Sequence, residues 1–129
     1  MALTPPLIAL AATLGAGTPR VQAPDAPWNT LRTAHYALHF PAGGDFQPFA
    51  QEVASKIEGI HAQVTEWVGY EYPQTIHVVI RDPQLDANGS AWPFRDRPWV
   101  ELWKTPPEPD SVIGHFTSWV DLLVTHELT

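Results

Sequence analysis

From Phe46 to Trp67, apolar side chains return at steps of three and four: Phe46, Phe49, Val53, Ile57, Ile60, Val64 and Trp67. That period lines one face of a helix, and such a helix is stable in water only when the face is covered. Asp45 stands where an N-cap belongs, Pro48 falls in the first turn where a missing N–H costs little, and Gly69 supplies the stop. Directly afterwards Thr75 to Ile80 (Thr-Ile-His-Val-Val-Ile) is continuous and β-branched, as expected of an interior strand covered on both faces. An amphipathic helix returning into such a strand predicts an α+β, α/β-like domain: a small mixed sheet with helices packed on it.

The remaining segments fill in that outline. Thr33 to Phe40 alternates, with His35, Ala37 and His39 set against Tyr36, Leu38 and Phe40, and predicts a half-buried strand. Pro41-Ala42-Gly43-Gly44 breaks it. Arg81 to Pro98 is rich in Asp, Pro, Gly and Asn and predicts a long loop, in which Gly89-Ser90-Ala91-Trp92 forms a short edge strand. Trp99 to Trp103 alternates again, and Thr105 to Asp110 (Thr-Pro-Pro-Glu-Pro-Asp) closes it. Ser118, with Asp121 three positions later, opens a last helix whose Trp119, Val120, Leu123, Val124 and Leu128 recur at helical spacing. Residues 33–129 are thus expected to run strand, helix, strand, short edge strand, strand, helix.

The first thirty residues read differently. Leu7 to Leu14 is a short apolar run followed by Gly15-Ala16-Gly17, and Val21-Gln22-Ala23 offers small residues for cleavage. Residues 1–23 are expected to be a secretory signal peptide, too short to span a bilayer, and 24–32 a Pro-rich lead-in. Export to a bacterial periplasm or the extracellular space follows from that reading. A net charge of −7 and the lack of any basic run exclude an electrostatic footprint for nucleic acid. The absence of Cys excludes disulfides, thiolate metal sites and cysteine nucleophiles, so any metal must be held by His and carboxylates.

The chemistry concentrates at His126-Glu127-Leu128-Thr129. In the pattern His-Glu-x-x-His, two imidazoles one helical turn apart grip zinc, and the intervening glutamate takes a proton from the metal-bound water. His126 is therefore a candidate metal ligand and Glu127 a candidate catalytic base. The dipeptide alone is a weak signal. Its place on a capped amphipathic helix, after a strand and a Pro-rich turn, strengthens it. That helix also reaches Thr129 without Gly, Pro or a basic stop. The expectation is a fragment that begins a zinc site continued past Thr129 and turns over nothing alone.

The run from Thr117 to Thr129 resembles the active-site helix of gluzincin metallopeptidases. More narrowly, it is similar to bacterial peptidase MA-like domains that often precede TolB-like β-propellers. The loop Asp86-Ala87-Asn88-Gly89-Ser90-Ala91, the strand ending at Thr105-Pro106-Pro107 and the strand Tyr36-Ala37-Leu38-His39-Phe40-Pro41 look similar to that group as well. The resemblance covers roughly residues 33–129 and implies the N-terminal half of a zincin-like domain. It implies zinc, with His126 as ligand and Glu127 as base, and a peptide or protein substrate. It also implies an edge strand that pairs with substrate backbone, the place held here by Gly89, Ser90, Ala91 and Trp92. A C-terminal propeller is the implied partner. The second histidine and the downstream glutamate ligand of that family are not in this chain.

Blander readings compete for the other residues. His35 and His39, on one face of a strand, could bind metal but better fit a polar strand face. His61 and His77 are expected to be satisfied singly, and His115 could approach the site from the preceding loop. Asn88-Gly89-Ser90 fits a glycosylation sequon and, better, a turn. Asp121 reads as a cap partner. Trp92, Trp99, Trp103 and Trp119 line either a substrate groove or a small core. The rival function is a non-catalytic secreted module that binds peptide or glycan, or docks a partner domain.

Overall fold

The computed structural model describes residues 26–83, 89–93, 96–112 and 114–129. The expected signal peptide, the sequon's Asn88 and the loop residues Asp86 and Ala87 lie outside them. The elements are β1 (Trp28–Arg32), β2 (Tyr36–Pro41), α1 (Phe46–Val68), β3 (Ile76–Arg81), β4 (Gly89–Trp92), β5 (Trp99–Trp103) and α2 (Trp119–Leu128). The strands form one five-stranded sheet in the order β1-β2-β3-β5-β4. β2, β3 and β5 run parallel to one another, whereas β1 and β4 run antiparallel along β2 and β5. This is the small mixed sheet with packed helices that the sequence predicts.

The core lies on one face of the sheet only. Tyr36, Leu38 and Phe40 of β2, Val78 and Ile80 of β3, and Val100 and Leu102 of β5 meet Ala50, Val53 and Ile57 of α1 and Trp119, Val120, Leu123 and Val124 of α2. Both helices therefore cover the same side, and β3 is not buried on both faces. Its His77 and Arg81 are exposed while Val78 and Ile80 are sealed. β2 departs in the other direction, because all its residues except His39 are buried.

Trp28 to Arg32, expected to end the lead-in, pairs instead along β2 from Trp28↔Pro41 to Arg32↔Ala37. It does so almost without side-chain burial. Backbone hydrogen bonds to β2 are enough to recruit an edge strand whose side chains carry no apolar pattern. Asp45 precedes α1 but its side chain makes no cap hydrogen bond; it meets Lys104 Nζ at 2.8 Å. Gly69 ends the helix as expected, in the left-handed region at φ 71°, with its N–H on the Thr65 carbonyl at 2.8 Å. Trp67 at the end of the apolar stripe is 68 % exposed, and the buried positions near it are His61 and Val64. The stripe turns away from the sheet there.

Candidate functional site

α2 is placed by its start. The Ser118 side chain accepts the Asp121 backbone N–H at 3.3 Å, as the capping pattern predicts. Lys56 of α1 donates to Ser118 Oγ at 2.9 Å and pairs with Asp121 Oδ1 at 3.1 Å, tying the two helices together. Beyond that anchor Leu123 and Val124 are buried, so the same turns must carry His126 outward and Glu127 to the flank. His126 is exposed and Glu127 is half-buried.

Glu127 faces β4, the last strand of the sheet. A Cβ at Gly89 would fall 2.7 Å from Glu127 Oε1, 2.8 Å from the Glu101 carbonyl oxygen and 2.9 Å from Leu123 Cδ1. Only glycine allows the strand and the helix to approach this closely. Burial pushes the Glu127 carboxyl above its usual range, opposed in part by the field of His126. A carboxylate that favours its proton, seated under an edge strand, is suited to exchange protons. The register places Gly89 and Ala91 on the helix side and Ser90 and Trp92 on the open side, since they oppose Leu102, Val100, Glu101 and Trp99 respectively.

Zinc needs at least three protein donors in sites of this kind. Among the described residues the group of three such donors that forms is His35, His61 and Glu71, and His126 is not part of it. His115 is exposed in the segment before α2. The tryptophans divide: Trp119 fills the core and donates to the Trp103 carbonyl at 3.0 Å, while Trp92 and Trp99 stack on the open face at 5.7 Å.

A second constellation lies at the other end of the histidine inventory. The bend before β2 separates His35 from His39. His39 joins Thr30 (Nδ1 to Oγ1, 3.0 Å) and His77 (Nε2 to Nδ1, 2.8 Å) on the open face. His35 turns to α1, where its ring stacks on His61 at 4.3 Å and 13°. The two histidines of the alternating segment thus do not share a face.

Glu58 holds His35 twice, accepting its backbone N–H at 2.9 Å and its Nδ1 at 2.6 Å. The His35 carbonyl in turn accepts Ile76 N–H at 2.9 Å. Burial raises the Glu58 carboxyl, but hydrogen bonds from Thr33 and from the His35 ring and backbone outweigh it and hold the pKa at about 2. The Glu58 hydrogen bond in turn raises the His35 pKa.

His61 is not satisfied singly. Its Nδ1 meets the Tyr36 hydroxyl at 2.7 Å, but its Nε2 is buried without a hydrogen-bond partner. Burial keeps the Tyr36 phenol protonated well above its ordinary range, with the Glu58 charge adding to the effect. Gly69 turns the chain back so that Glu71 Oε1 stands 3.4 Å from His35 Nε2 and 3.9 Å from His61 Nε2. No sequence motif marks this group. Its only local signal is Glu58-x-x-His61, a spacing that puts both side chains on one helix face.

The described residues contain no helix long and apolar enough to cross a membrane. No family model matches the chain, and comparison with curated proteins and with solved structures gives no match either.

Proposed function

We propose that the chain is the front part of an exported zinc-dependent metallopeptidase domain that hydrolyses peptide bonds, with Glu127 as base and His126 as one metal ligand. One observation carries the reading. The Glu127 carboxylate lies against Gly89 of the terminal strand β4, in a setting that raises its pKa. An extended peptide laid along an edge strand gains main-chain hydrogen bonds and brings its carbonyls near that carboxylate. Gly89, Ser90, Ala91 and Trp92 then position the substrate, and Glu127 accepts and returns a proton.

The further donors belong, on this reading, to residues that follow Thr129. The test is to read the coding sequence past Thr129 and to assay the longer protein. A histidine at the next position and a carboxylate on a later helix are expected, with peptidase activity reduced at least a hundredfold by Glu127→Gln. Any other residue directly after Thr129, or full activity in Glu127→Gln, sinks the proposal. The Trp92–Trp99 stack on the open face favours the rival, a non-catalytic module gripping peptide or glycan on aromatic rings. Undiminished ligand binding with no hydrolysis in the longer protein supports that rival.

A further inference from the structure

We infer that His35 Nε2, His61 Nε2 and a Glu71 carboxylate oxygen form a zinc-binding site, separate from His126 and Glu127. The three donor atoms lie within 4.8 Å of one another. Ligands about 2.0–2.1 Å from a tetrahedral zinc are themselves about 3.4 Å apart. The His35–Glu71 separation of 3.4 Å already matches, whereas the His61–Glu71 separation of 3.9 Å must close and the two rings, stacked at 4.3 Å and 13°, must turn out of the stack so that both Nε2 lone pairs meet the ion. Glu71 is 62 % exposed and sits just past the helix stop, so it is free to make that adjustment.

The surroundings are those of a prepared metal site. Glu58 accepts from Nδ1 of His35, which fixes the tautomer and leaves a lone pair on Nε2. Tyr36 Oη does the same for His61 when Nδ1 carries the proton. Carboxylate and phenol thus stand behind the two imidazoles, and both main-chain groups of His35 are pinned.

The buried Nε2 of His61 points to a ligand. His61 is only 7 % exposed, and its Nε2 has no hydrogen-bond partner although a carboxylate oxygen faces it. With the proton on Nδ1, Nε2 turns a buried lone pair toward an anion, which is costly unless a cation lies between them. Two imidazoles and a carboxylate, with no thiolate, suit zinc in a site with an open fourth position. The cleft beside it, with a volume of about 230 Å³, is lined by Tyr36, His61, Tyr70, Tyr72, Leu128 and Thr129 among others. It gives an exchangeable water room to complete the shell.

The test is calorimetric titration of the 129-residue chain with zinc chloride, alongside Glu71→Gln, His35→Gln, Glu58→Gln, His39→Gln and His126→Ala. Far-UV circular dichroism establishes that each variant is folded, and Glu71→Gln, at an exposed position, is the variant least able to disturb the core. One equivalent should bind to the parent chain. Glu71→Gln and His35→Gln should weaken binding more than tenfold, Glu58→Gln by about tenfold through the ring it orients, and His39→Gln and His126→Ala by less than threefold. Ring nitrogen NMR supplies the second readout, with Nε2 of His35 and His61 shifting on zinc addition while their Nδ1 protons persist. Absence of stoichiometric binding overturns the inference. So does binding that survives Glu71→Gln and His35→Gln, or binding lost with His126 or His39. Because His126→Ala is a separate arm, failure here leaves the peptidase proposal standing, and the reverse also holds.

Discussion

Replacing Gly89 by alanine probes the contact on which the Glu127 reading depends. The added Cβ meets three atoms at less than 3 Å: Glu127 Oε1 at 2.7 Å, the Glu101 carbonyl oxygen at 2.8 Å and Leu123 Cδ1 at 2.9 Å. They do not yield equally. The Glu127 carboxylate is the far end of a flexible side chain and swings away. The Glu101 carbonyl belongs to the strand paired with β4, and Leu123 is buried in the core, so both hold their ground. Overpacking of this kind costs about 1–3 kcal/mol. Gly89 has no positive φ, so alanine also regains about 0.4–1 kcal/mol by restricting the unfolded chain. Taking the middle of both ranges, the net loss is about 1.3 kcal/mol, or about 5–10 °C in Tm for a domain of roughly 100 residues. Thermal unfolding followed by circular dichroism measures the loss, and carboxyl NMR follows the titration of Glu127. Displaced into water, that carboxyl should titrate lower, toward an ordinary glutamate. Adding Glu127→Ala should restore little stability, because the carbonyl and Leu123 remain. A Gly89→Ala chain as stable as the parent, with Glu127 titrating as before, would refute the close approach of β4 and α2.

Two further outcomes follow from other contacts. Ser118→Ala removes the α2 cap and the Lys56 acceptor together, and should lower the unfolding free energy in urea by about 1 kcal/mol. Ser118→Asp, which keeps a capping oxygen, should recover most of that; equal loss in both variants contradicts the cap. His39 is the pH-sensitive element of the open face. Burial, then the nearby His77 and Arg32 charges, lowers its pKa below 6.5, so the fold favours the neutral ring. Its contribution is complete above the unfolded pKa of 6.5 and is lost as pH falls through the lower folded value. The Tm advantage of the parent over His39→Gln should therefore shrink as the medium is acidified below about pH 6.5. A difference that stays constant with pH removes His39 from the account.

The elements legible in the sequence were those whose side chains do the packing. α1 announces itself because Val53, Ile57 and Val64 repeat with the helix and are buried. β3 and β5 announce themselves through Val78, Ile80, Val100 and Leu102. The number of covered faces was not legible in β3, because Val79, set between Val78 and Ile80, makes its run look apolar on both sides. Only the count and placement of helices decides that, and both helices lie on one face. β1 was illegible for a related reason. Trp-Asn-Thr-Leu-Arg joins the sheet through backbone groups that every residue possesses, so composition cannot mark it. Asp45 shows a third kind of miss: a residue of the right type beside a helix start, drawn instead to Lys104 in the bend just after β5.

The two candidate sites differ in legibility for a physical reason. His126 and Glu127 are neighbours on one helix, so spacing alone predicts that one faces outward and the other sits at the flank of the core. The role of Gly89 could be suggested by strand order, but its contact with Glu127 exists only when β4 is folded against α2. His35, His61 and Glu71 come from a bend, a helix face and the turn after a helix stop. Each depends on a different local decision: the bend that takes His35 out of the β2 alternation, the helix face that buries His61 between Ile57 and Val64, and the left-handed Gly69 that sends the chain back. The strongest sequence clue was one the periodicity hid. Trp67 leads the apolar stripe outward, and His61, one turn past Ile57, takes the buried position beside Val64. A histidine so placed must satisfy two ring nitrogens inside the protein. Tyr36 serves one, and the other has only Glu71 before it, at a distance a shared ion closes better than a hydrogen bond.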